Sequence, residues 1–231
     1  MKKNIIIIPA RGNSKGIKKK NLINFSGKPL LYWSILQAKK SKFKNEVYVS
    51  SENNEILDFS RKLNVNVVKR PKSLSKDSSS SESAIKHVVN TIGFKNVSNI
   101  IFLQATSPLR FPKDINKAFE VYKKTKSDSL FSGHQAEDYF DIWKKKQNYY
   151  IPLTIDYNNR KPRQLFSEKH VCQNGSIYIF KSEILKNRNN RLGGKINVFK
   201  MKEWQSFQLD NIKQKKIMEK IFDNELKKFY E

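Results

Sequence analysis

Near its amino terminus the chain reads Ile5-Ile6-Ile7-Ile8-Pro9-Ala10-Arg11-Gly12-Asn13-Ser14-Lys15-Gly16. The four consecutive isoleucines predict a strand that is buried on both faces, as the strands of parallel sheets are. In open α/β sheets, the loop that leaves the carboxyl end of a strand lies in the crevice where ligands bind. This stretch therefore predicts a ligand site directly after the first strand, a position that suggests a nucleotide.

The loop after this strand contains the groups that a polyphosphate site needs. Gly12 and Gly16 let the backbone adopt positive φ and approach an anion closely. The Ser14 hydroxyl and the main-chain amides around Gly12 and Asn13 can donate hydrogen bonds. Positive charge comes from Arg11, Lys15 and Lys20. Each of these groups fits a pyrophosphate.

The loop differs from three better-known glycine motifs. Gly12-Asn13-Ser14-Lys15-Gly16 matches the G-x-S-x-G pattern of hydrolases, but it continues into lysines instead of opening a helix. None of His87, His134 and His170 stands in a recognisable triad context. A Walker loop and the G-x-G-x-x-G dinucleotide fingerprint are both absent. The remaining alternative is a solvated basic turn after an edge strand.

Length and composition predict one domain that spans 1–231. A chain of 231 residues with 38% hydrophobic residues can bury one sizeable core. The isoleucine run is too short for a signal sequence, and no apolar run has the length of a membrane span, so we expect a cytoplasmic protein without a membrane partner. Cys172 is the only cysteine, and we assign it no chemistry.

The net charge of +25, from 46 Lys and Arg against 21 Asp and Glu, permits two interpretations. The first is binding to nucleic acid or to another anionic surface. However, the excess is nearly all lysine, is scattered along the chain, and comes without a zinc-finger, RNP-like or helix-turn-helix pattern. We therefore interpret it as compositional bias that also favours anionic substrates, and we expect no nucleic acid partner.

Strand and helix patterns alternate along the chain. The predicted strands are 4–9, 46–51, 65–69, 99–104, 127–132, 175–180 and 195–201. The predicted helices are 29–42, 53–63, 80–91, 112–124 and 211–229, with Pro29 and Pro112 at plausible first-turn positions. This alternation indicates an α/β fold, a mostly parallel sheet with helices on both faces.

The alternation stops between about 133 and 172, where aromatic residues and lysines mix without helical period. The aromatic residues are Tyr139, Phe140, Trp143, Tyr149 and Tyr150. We predict a β-rich excursion inserted in the domain, either a lid or a dimer arm. Exposed aromatic residues favour an interface, although a small local core would have the same composition.

Further motifs occur in order along the chain. They are Val49-Ser50-Ser51-Glu52-Asn53, Arg70-Pro71 followed by Asp77-Ser78-Ser79-Ser80-Ser81, Leu103-Gln104-Ala105-Thr106-Ser107-Pro108-Leu109-Arg110, Arg163-Gln164, and Asn174-Gly175-Ser176-Ile177-Tyr178. Together with the first loop, they resemble the motifs of the acylneuraminate cytidylyltransferases, or CMP-sialic acid synthetases. The resemblance covers nearly the whole chain, and several spaced motifs are far more specific than any one alone.

The resemblance implies a Rossmann-like nucleotide-diphospho-sugar transferase fold and a nucleotidyltransferase activity. CMP would pass from CTP to the anomeric hydroxyl of an acidic nine-carbon sugar, and pyrophosphate would leave. The hydroxyl attacks the α-phosphorus in line, so such an enzyme mainly positions two anions and spreads the charge of the leaving group. The resemblance further implies Mg²⁺ as cofactor and a homodimer whose sugar pocket can include residues of the partner subunit.

The predicted nucleotide-binding residues are Arg11, Gly12, Asn13, Ser14, Lys20, Asn21, Arg70 and Ser81. Among them, Arg11 and Lys20 hold the leaving pyrophosphate and are assigned as catalytic. The resemblance places Asn21 and Ser81 near the ribose and the cytosine. Arg70 either supports the site or forms an ion pair with Asp77.

The predicted sugar-binding residues are Gln104, Thr106, Ser107, Arg163 and Gln164. Amide and hydroxyl groups at the carboxyl end of a strand can contact sugar hydroxyls without a charge penalty. The planar fork of an arginine such as Arg163 suits a sugar carboxylate, although a surface salt bridge is an alternative. Arg110 either caps structure or binds a carboxylate.

The predicted metal site lies in Ser206-Phe207-Gln208-Leu209-Asp210-Asn211, which resembles the acidic pair that holds magnesium in the family. Asp210 occupies one acidic position and is also assigned as catalytic, but Gln208 stands where the second carboxylate is expected. An amide oxygen can bind Mg²⁺ without contributing charge, so weaker metal affinity would follow. A helix cap is the competing role for Asp210, because a helical pattern starts directly after it.

Two further positions depart from the family pattern. Lys18-Lys19 stands where a proline is common, and Pro162 stands where a second arginine often precedes Arg163. The second difference leaves the particular nonulosonic acid open. The alternatives are a nucleotidyltransferase of the same fold for Kdo or another sugar acid and, more distantly, a basic nucleic-acid-binding protein. Because the chain ends at Glu231, we expect a single activity.

Overall fold

The computed structural model describes residues 2–12, 14, 16–136, 142–160, 162 and 170–230. The strands in this part of the chain are β1 (Lys3–Pro9), β2 (Asn24–Phe25), β3 (Lys28–Pro29), β4 (Val47–Ser51), β5 (Asn66–Lys69), β6 (Val97–Leu103), β7 (Ser129–Gln135), β8 (Trp143–Lys146), β9 (Tyr149–Pro152), β10 (Val171–Lys181) and β11 (Ile196–Lys200). The helices are α1 (Leu30–Lys39), α2 (Asn54–Lys62), α3 (Ser81–Ile92), α4 (Asp114–Lys124), α5 (Ser182–Arg188) and α6 (Ile212–Glu225).

Seven strands form one sheet in the order β11-β7-β10-β6-β1-β4-β5. The central strand β1 pairs in parallel with β4 and β6, and the pairs β4 with β5 and β7 with β11 are parallel as well. Within this sheet β10 alone runs antiparallel, to both β6 and β7. The prediction of a mostly parallel α/β sheet is therefore confirmed.

The isoleucines of β1 supply both faces of the core, and all four are fully buried. Ile6 and Ile8 belong to the hydrophobic cluster under α1 and α4, whereas Ile5 and Ile7 belong to the cluster under α3. At about 1.5–3 kcal/mol for each buried side chain, the run contributes about 6–12 kcal/mol. That is as large as the whole net stability of a typical domain, so this strand is indispensable to the fold.

A third hydrophobic cluster brings the carboxy-terminal part of the chain against the loop after β1. Ile17 from that loop and Leu209 from the segment before α6 are buried in the same cluster as Met218 and Phe222 of α6. Leu209 also donates its main-chain amide to the carbonyl oxygen of Thr106, at 2.9 Å. As a result, the two neighbours of Leu209 in sequence lie beside the cationic loop.

The helix starts follow from their capping residues. The side chains of Asn53 and Ser80 accept the amides of Ile56 and Ser83, both at 3.1 Å, at the starts of α2 and α3. At the start of α6 the cap is Asn211. The alternative role of Asp210 as a helix cap is therefore wrong.

Some predicted boundaries are also wrong. Pro29 and Pro112 both precede their helices instead of lying in the first turn, since α1 begins at Leu30 and α4 at Asp114. Helix α5 was not predicted at all. It is a seven-residue helix between two strands, which is too short to produce a clear helical period.

The excursion predicted at 133–172 falls partly outside the described residues. In its described part, β8 and β9 form an antiparallel two-stranded sheet of their own. The side chains of Trp143, Tyr149, Tyr150 and Tyr157 are between 43% and 60% exposed, so this hairpin does not bury them against the rest of the described chain. Across the described residues, none of the helices combines the length and the apolar character needed to traverse a bilayer.

Candidate active site

A cleft of about 310 Å³ opens at the carboxyl ends of β1 and β6, between the cationic loop and the start of α3. The predicted site residues in its wall are Arg11, Ser14, Lys20, Asn21, Arg70, Ser81, Gln104, Thr106, Gln208 and Asp210. These residues lie on six separate segments of the chain, and only the fold brings them together. Both predicted catalytic cations, Arg11 and Lys20, therefore line the same cleft as Gln104.

Three cations of the cleft, Arg11, Lys20 and Arg70, are each paired with a carboxylate. Nη1 of Arg11 lies 2.8 Å from Oδ1 of Asp77, and Nζ of Lys20 lies 3.1 Å from Oδ1 of Asp210. Nη2 of Arg70 lies 3.1 Å from Oε2 of Glu52. The predicted alternative of an ion pair between Arg70 and Asp77 is therefore wrong. The partners in these ion pairs are far apart in the sequence, so the sequence does not show which carboxylate each cation contacts.

Glu52 supports the loop at the cleft, although no role was predicted for it from the sequence. Its carboxylate accepts the main-chain amide of Gly12 at 2.7 Å in addition to the contact with Arg70. Burial alone would raise the pKa of Glu52, but the hydrogen bonds from the amides of Gly12 and Glu52 and from Arg70 hold it below its usual value. The available signal was an acidic residue directly after β4, at the same edge of the sheet as the loop.

Gly12 is not part of the cleft wall. Its amide is used by Glu52, and a Cβ at this position would lie 2.7 Å from the Cβ of Asn53. Gly16 is similarly constrained, because a Cβ there would lie 2.5 Å from the carbonyl oxygen of Asp210. Both glycines thus allow close approach of the loop to neighbouring segments of the protein. Asn13, the other predicted amide donor, lies outside the described residues.

Asn21 fixes the backbone of the loop after β1 through a side-chain hydrogen bond. Its Nδ2 donates to the main-chain carbonyl of Arg11 at 2.8 Å, and the residue is 7% exposed. Through this bond, the buried turn that carries Lys20 and Asn21 fixes the backbone from which the Arg11 side chain extends.

The side chains of Gln104 and Gln208, which we call the cleft floor, lie next to Gly175, a residue of the Asn174–Tyr178 motif for which no role was predicted. Its φ is +68°, and a Cβ there would lie 2.4 Å from Oε1 of Gln104 and 2.6 Å from Nε2 of Gln208. The pairing register of β10 shifts between Gln173 and Tyr178, so Gly175 lies in a bulge. A glycine inside a predicted strand was the signal for such an irregularity.

Two polar residues of the Leu103–Arg110 motif are fully buried. Ser107 is 0% exposed and lies outside the cleft wall, so its predicted contact with the sugar is not supported by its position. Arg110 is also 0% exposed, and its guanidinium donates to protein oxygens, including the carbonyls of Gln104 and Ser176. Of its two predicted roles, the structural one is confirmed. Arg163 and Gln164 lie outside the described residues.

A family model described as cytidylyltransferase matches residues 5–231. The chain belongs to the cytidylyltransferase family. The match starts within β1 and includes the cationic loop, every described residue of the cleft and α6. Membership in a family of nucleotidyltransferases agrees with the activity that the motifs predicted.

Curated relatives of this cytidylyltransferase act on acidic sugars according to their names. It is 34% identical to N-acylneuraminate cytidylyltransferase A of Danio rerio over 208 residues, which are 88% of this chain and 47% of that protein. It is 33% identical to a pseudaminic acid cytidylyltransferase of Campylobacter jejuni over 73% of this chain and 69% of the relative. The chain thus spans about half the length of the Danio rerio protein.

A third relative matches over nearly its full length. It is the post-translational flagellin modification protein B of Campylobacter coli, which is 30% identical over 92% of both chains. The motif resemblance to acylneuraminate cytidylyltransferases is confirmed by the first two relatives.

Solved structures share the fold of this cytidylyltransferase. A CMP:2-keto-3-deoxy-manno-octonic acid synthetase complexed with CTP superimposes with a TM-score of 0.74 at 16% identity, over 97% of this chain and 100% of that chain. A 4-diphosphocytidyl-2C-methyl-D-erythritol synthase from Anaerococcus prevotii gives a TM-score of 0.68 at 11% identity, over 96% and 99%. The predicted nucleotidyltransferase fold is confirmed.

The donor set near the cleft resembles an incomplete magnesium site. The Asp210 side chain is 66% exposed, and Gln208 uses its Nε2 in a 2.9 Å bond to the carbonyl of Asn174, which leaves its amide oxygen available. No group of three or more His, Cys, Asp or Glu side chains suited to a metal occurs in the described part of the chain. Since Mg²⁺ is often held by one or two carboxylates plus substrate phosphates and waters, these residues fit a site that the substrate completes.

Proposed function

We propose that this chain transfers CMP from CTP to the anomeric hydroxyl of an acidic nine-carbon sugar and releases pyrophosphate, with Mg²⁺ as cofactor. The observation that carries the proposal is the single cleft that joins Arg11 and Lys20 with Gln104 and Thr106. The first pair is suited to phosphates, and the second to neutral hydroxyl groups. The names of the relatives support the choice of a sugar acid as acceptor.

Lys20 and Arg11 stabilise the leaving pyrophosphate in this proposal. Their present partners, Asp210 and Asp77, have side chains that are 66% and 45% exposed. Both carboxylates remain accessible to water, so they can be hydrated when they leave, and the more highly charged triphosphate can replace them. Lys20 itself is 12% exposed, and a partly buried ammonium interacts more strongly with the charge that develops on the leaving group.

The remaining contacts are assigned by position. Ser14 and Ser81 offer hydroxyl groups to the nucleotide, and Arg70, fixed by Glu52, supports that wall of the cleft. Gln104 and Thr106 contact hydroxyls of the sugar, together with the predicted Arg163 and Gln164.

Asp210, freed from Lys20, and the amide oxygen of Gln208 would hold the magnesium ion. When bound, the ion would neutralise charge on the phosphate oxygens. Because only one of the two groups is charged, we expect the affinity for Mg²⁺ to be low. We also propose a homodimer formed through the aromatic hairpin β8–β9, whose side chains remain exposed in the single chain.

A pyrophosphate-release assay tests the proposed function. The purified protein is mixed with CTP, Mg²⁺ and, in turn, N-acetylneuraminic, legionaminic and pseudaminic acid and Kdo. We expect release with at least one nine-carbon acid, greater than with Kdo. Release with Kdo alone would identify the alternative acceptor, and no release with any acid would refute the proposal.

Two neighbouring lysines provide a matched pair of variants for this assay. Lys20→Ala removes a charge-assisted contact worth about 1.5–3 kcal/mol, so turnover should fall about 10- to 150-fold. Lys19→Ala is the control, because Lys19 lies outside the cleft wall and pairs with Glu55, both side chains being 56% exposed. Equal rates for the two variants would remove Lys20 from the site.

A further inference from the structure

Among the residues that the structure describes, Arg110 has the largest fully buried side chain, and it carries a charge. Its guanidinium makes five polar contacts. Nη1 donates to Oε1 of Gln37 at 2.6 Å and to Oγ of Ser34 at 3.2 Å. Nη2 donates to the carbonyl of Gln104 at 2.5 Å and to that of Ser176 at 3.1 Å, and Nε reaches the same Ser176 carbonyl at 3.3 Å.

All of these acceptors are neutral. Burial lowers the pKa of Arg110 to about 10, although Tyr230 and Asp114 act in the opposite direction. The side chain therefore stays protonated at neutral pH. A buried charge without a contacting carboxylate costs free energy, which a methionine would avoid. A methionine would, however, leave the carbonyls of Gln104 and Ser176 without the donor that Arg110 supplies, and a buried unpaired acceptor is destabilising. The retention of an arginine at this point calls for a role that a hydrophobic side chain does not fill.

The location of two of its acceptors indicates that role. Gln104 directly follows β6, and Ser176 lies in the bulge of β10, where a Cβ on the neighbouring Gly175 would collide with the side chains of Gln104 and Gln208. By binding both carbonyls, one guanidinium joins the end of a parallel strand to the bulge of an antiparallel strand. Of the two residues at this junction, Gln104 lines the cleft.

We propose that Arg110 is a positioning residue for the sugar acid, an inference that rests on the proposed function. It holds the main-chain carbonyl of Gln104 directly. It also holds Ser176 in the bulge of β10, where the carbonyl of Asn174 accepts the side-chain amide of Gln208. The planar fork is necessary because its nitrogens must satisfy two carbonyls and the Gln37 amide at once. A lysine would keep the charge and lose this geometry.

The test compares Arg110→Met and Arg110→Lys with Phe180→Leu. Phe180 is fully buried on the same strand as Ser176, but it pairs with Ile100, away from the cleft. Stability is measured by urea unfolding, and kinetics are measured where each variant is fully folded. We expect all three variants to lose stability, but only the Arg110 variants to lose kcat/KM, about tenfold or more, with the sugar KM affected more than the CTP KM. Equal kinetics for folded Arg110→Met and Phe180→Leu would overturn the proposal.

A double-mutant cycle covers the case in which Arg110→Met does not fold. If Arg110 acts through Gln104, then Arg110→Lys should cost little further activity in a Gln104→Ala background. Additive losses would overturn the proposal.

A third readout needs no turnover and so separates this inference from the proposed function. In ¹H–¹⁵N spectra of the ligand-free protein, the side-chain amide signals of Gln104 and Gln208 should move in Arg110→Lys and stay in place in Phe180→Leu. If the wild type shows no transfer activity but these signals move as expected, the proposed function fails while the positioning role stands. Unmoved signals refute the positioning role.

Discussion

Replacing Gly175 by alanine should damage the cleft floor in a way that can be calculated from the structure. The φ of +68° places an alanine in the left-handed region, which costs about 1–2 kcal/mol. The new Cβ would also lie 2.4 Å from Oε1 of Gln104 and 2.6 Å from Nε2 of Gln208. Both distances are about 1 Å shorter than an ordinary contact, so both side chains must move.

Gly27 is the matched control for this substitution. Its φ is +85°, but a Cβ there would meet no atom within 4 Å. Gly27→Ala therefore carries the backbone cost without the collision. For a chain of this size, a loss of 1 kcal/mol lowers the melting temperature by about 2–4 °C, so Gly27→Ala should melt about 2–8 °C below the wild type. Gly175→Ala should melt lower still.

Kinetics separate the two variants more clearly than stability does. A displacement of about 1 Å at a substrate-positioning group can cost about 100-fold in rate, so Gly175→Ala should lose up to that factor in kcat/KM for the sugar. Gly27→Ala should retain wild-type kinetics at a temperature where it is folded. If the two variants have the same melting temperature and the same kinetics, the inferred contacts of Gly175 with Gln104 and Gln208 are wrong.

Three further predictions concern the metal, the loop and the hairpin. Gln208→Asp adds a second carboxylate beside Asp210 and should lower the Mg²⁺ concentration for half-maximal rate, whereas the uncharged Gln208→Asn should not; equal responses would exclude a metal role. Folding lowers the pKa of Glu52 from its ordinary value of 4.5, so the ionised carboxylate stabilises the fold at pH values above 4.5. This stabilisation is lost as the pH falls below that value. Melting temperatures should therefore drop less steeply between about pH 5 and 3 in Glu52→Gln, and parallel curves would argue against the bond to Gly12. Tyr150 is 60% exposed on the hairpin, and Tyr150→Glu should shift the sedimentation coefficient from that of a dimer to that of a monomer. A wild type that already sediments as a monomer at micromolar concentration would count against the dimer.

Much of the fold could be predicted from local patterns. The run Ile5–Ile8 predicted a strand buried on both faces, because four adjacent β-branched side chains point alternately to the two faces of a sheet. Asn53 and Ser80 marked two helix starts because their side chains accept the first free amides of a helix. Helix α5 was not predicted because its seven residues form too few turns to show a helical period.

The approximate location of the candidate site was predictable for a topological reason. Parallel strands end at the same edge of the sheet, so polar residues that follow β1 and β6, such as Lys20 and Gln104, were expected to meet. The sequence alone therefore determined the chemical character of the site, in which cations and neutral polar groups meet at one edge of the sheet.

Tertiary structure decided the partners and orientations within that site. Glu52 lies against Gly12 across 40 positions of sequence, and Asp210 reaches Lys20 across 190, so no local pattern encodes these pairs. The positive φ of Gly175 depends on a bulge that exists only when β10 is paired with its neighbours. Nothing in the sequence around Arg110 marks it as buried, and its side chain is enclosed only where α1, the end of β6 and β10 meet. Composition and periodicity report what each segment prefers, whereas charge pairing, backbone strain and burial depend on distances between segments that only the packed chain defines.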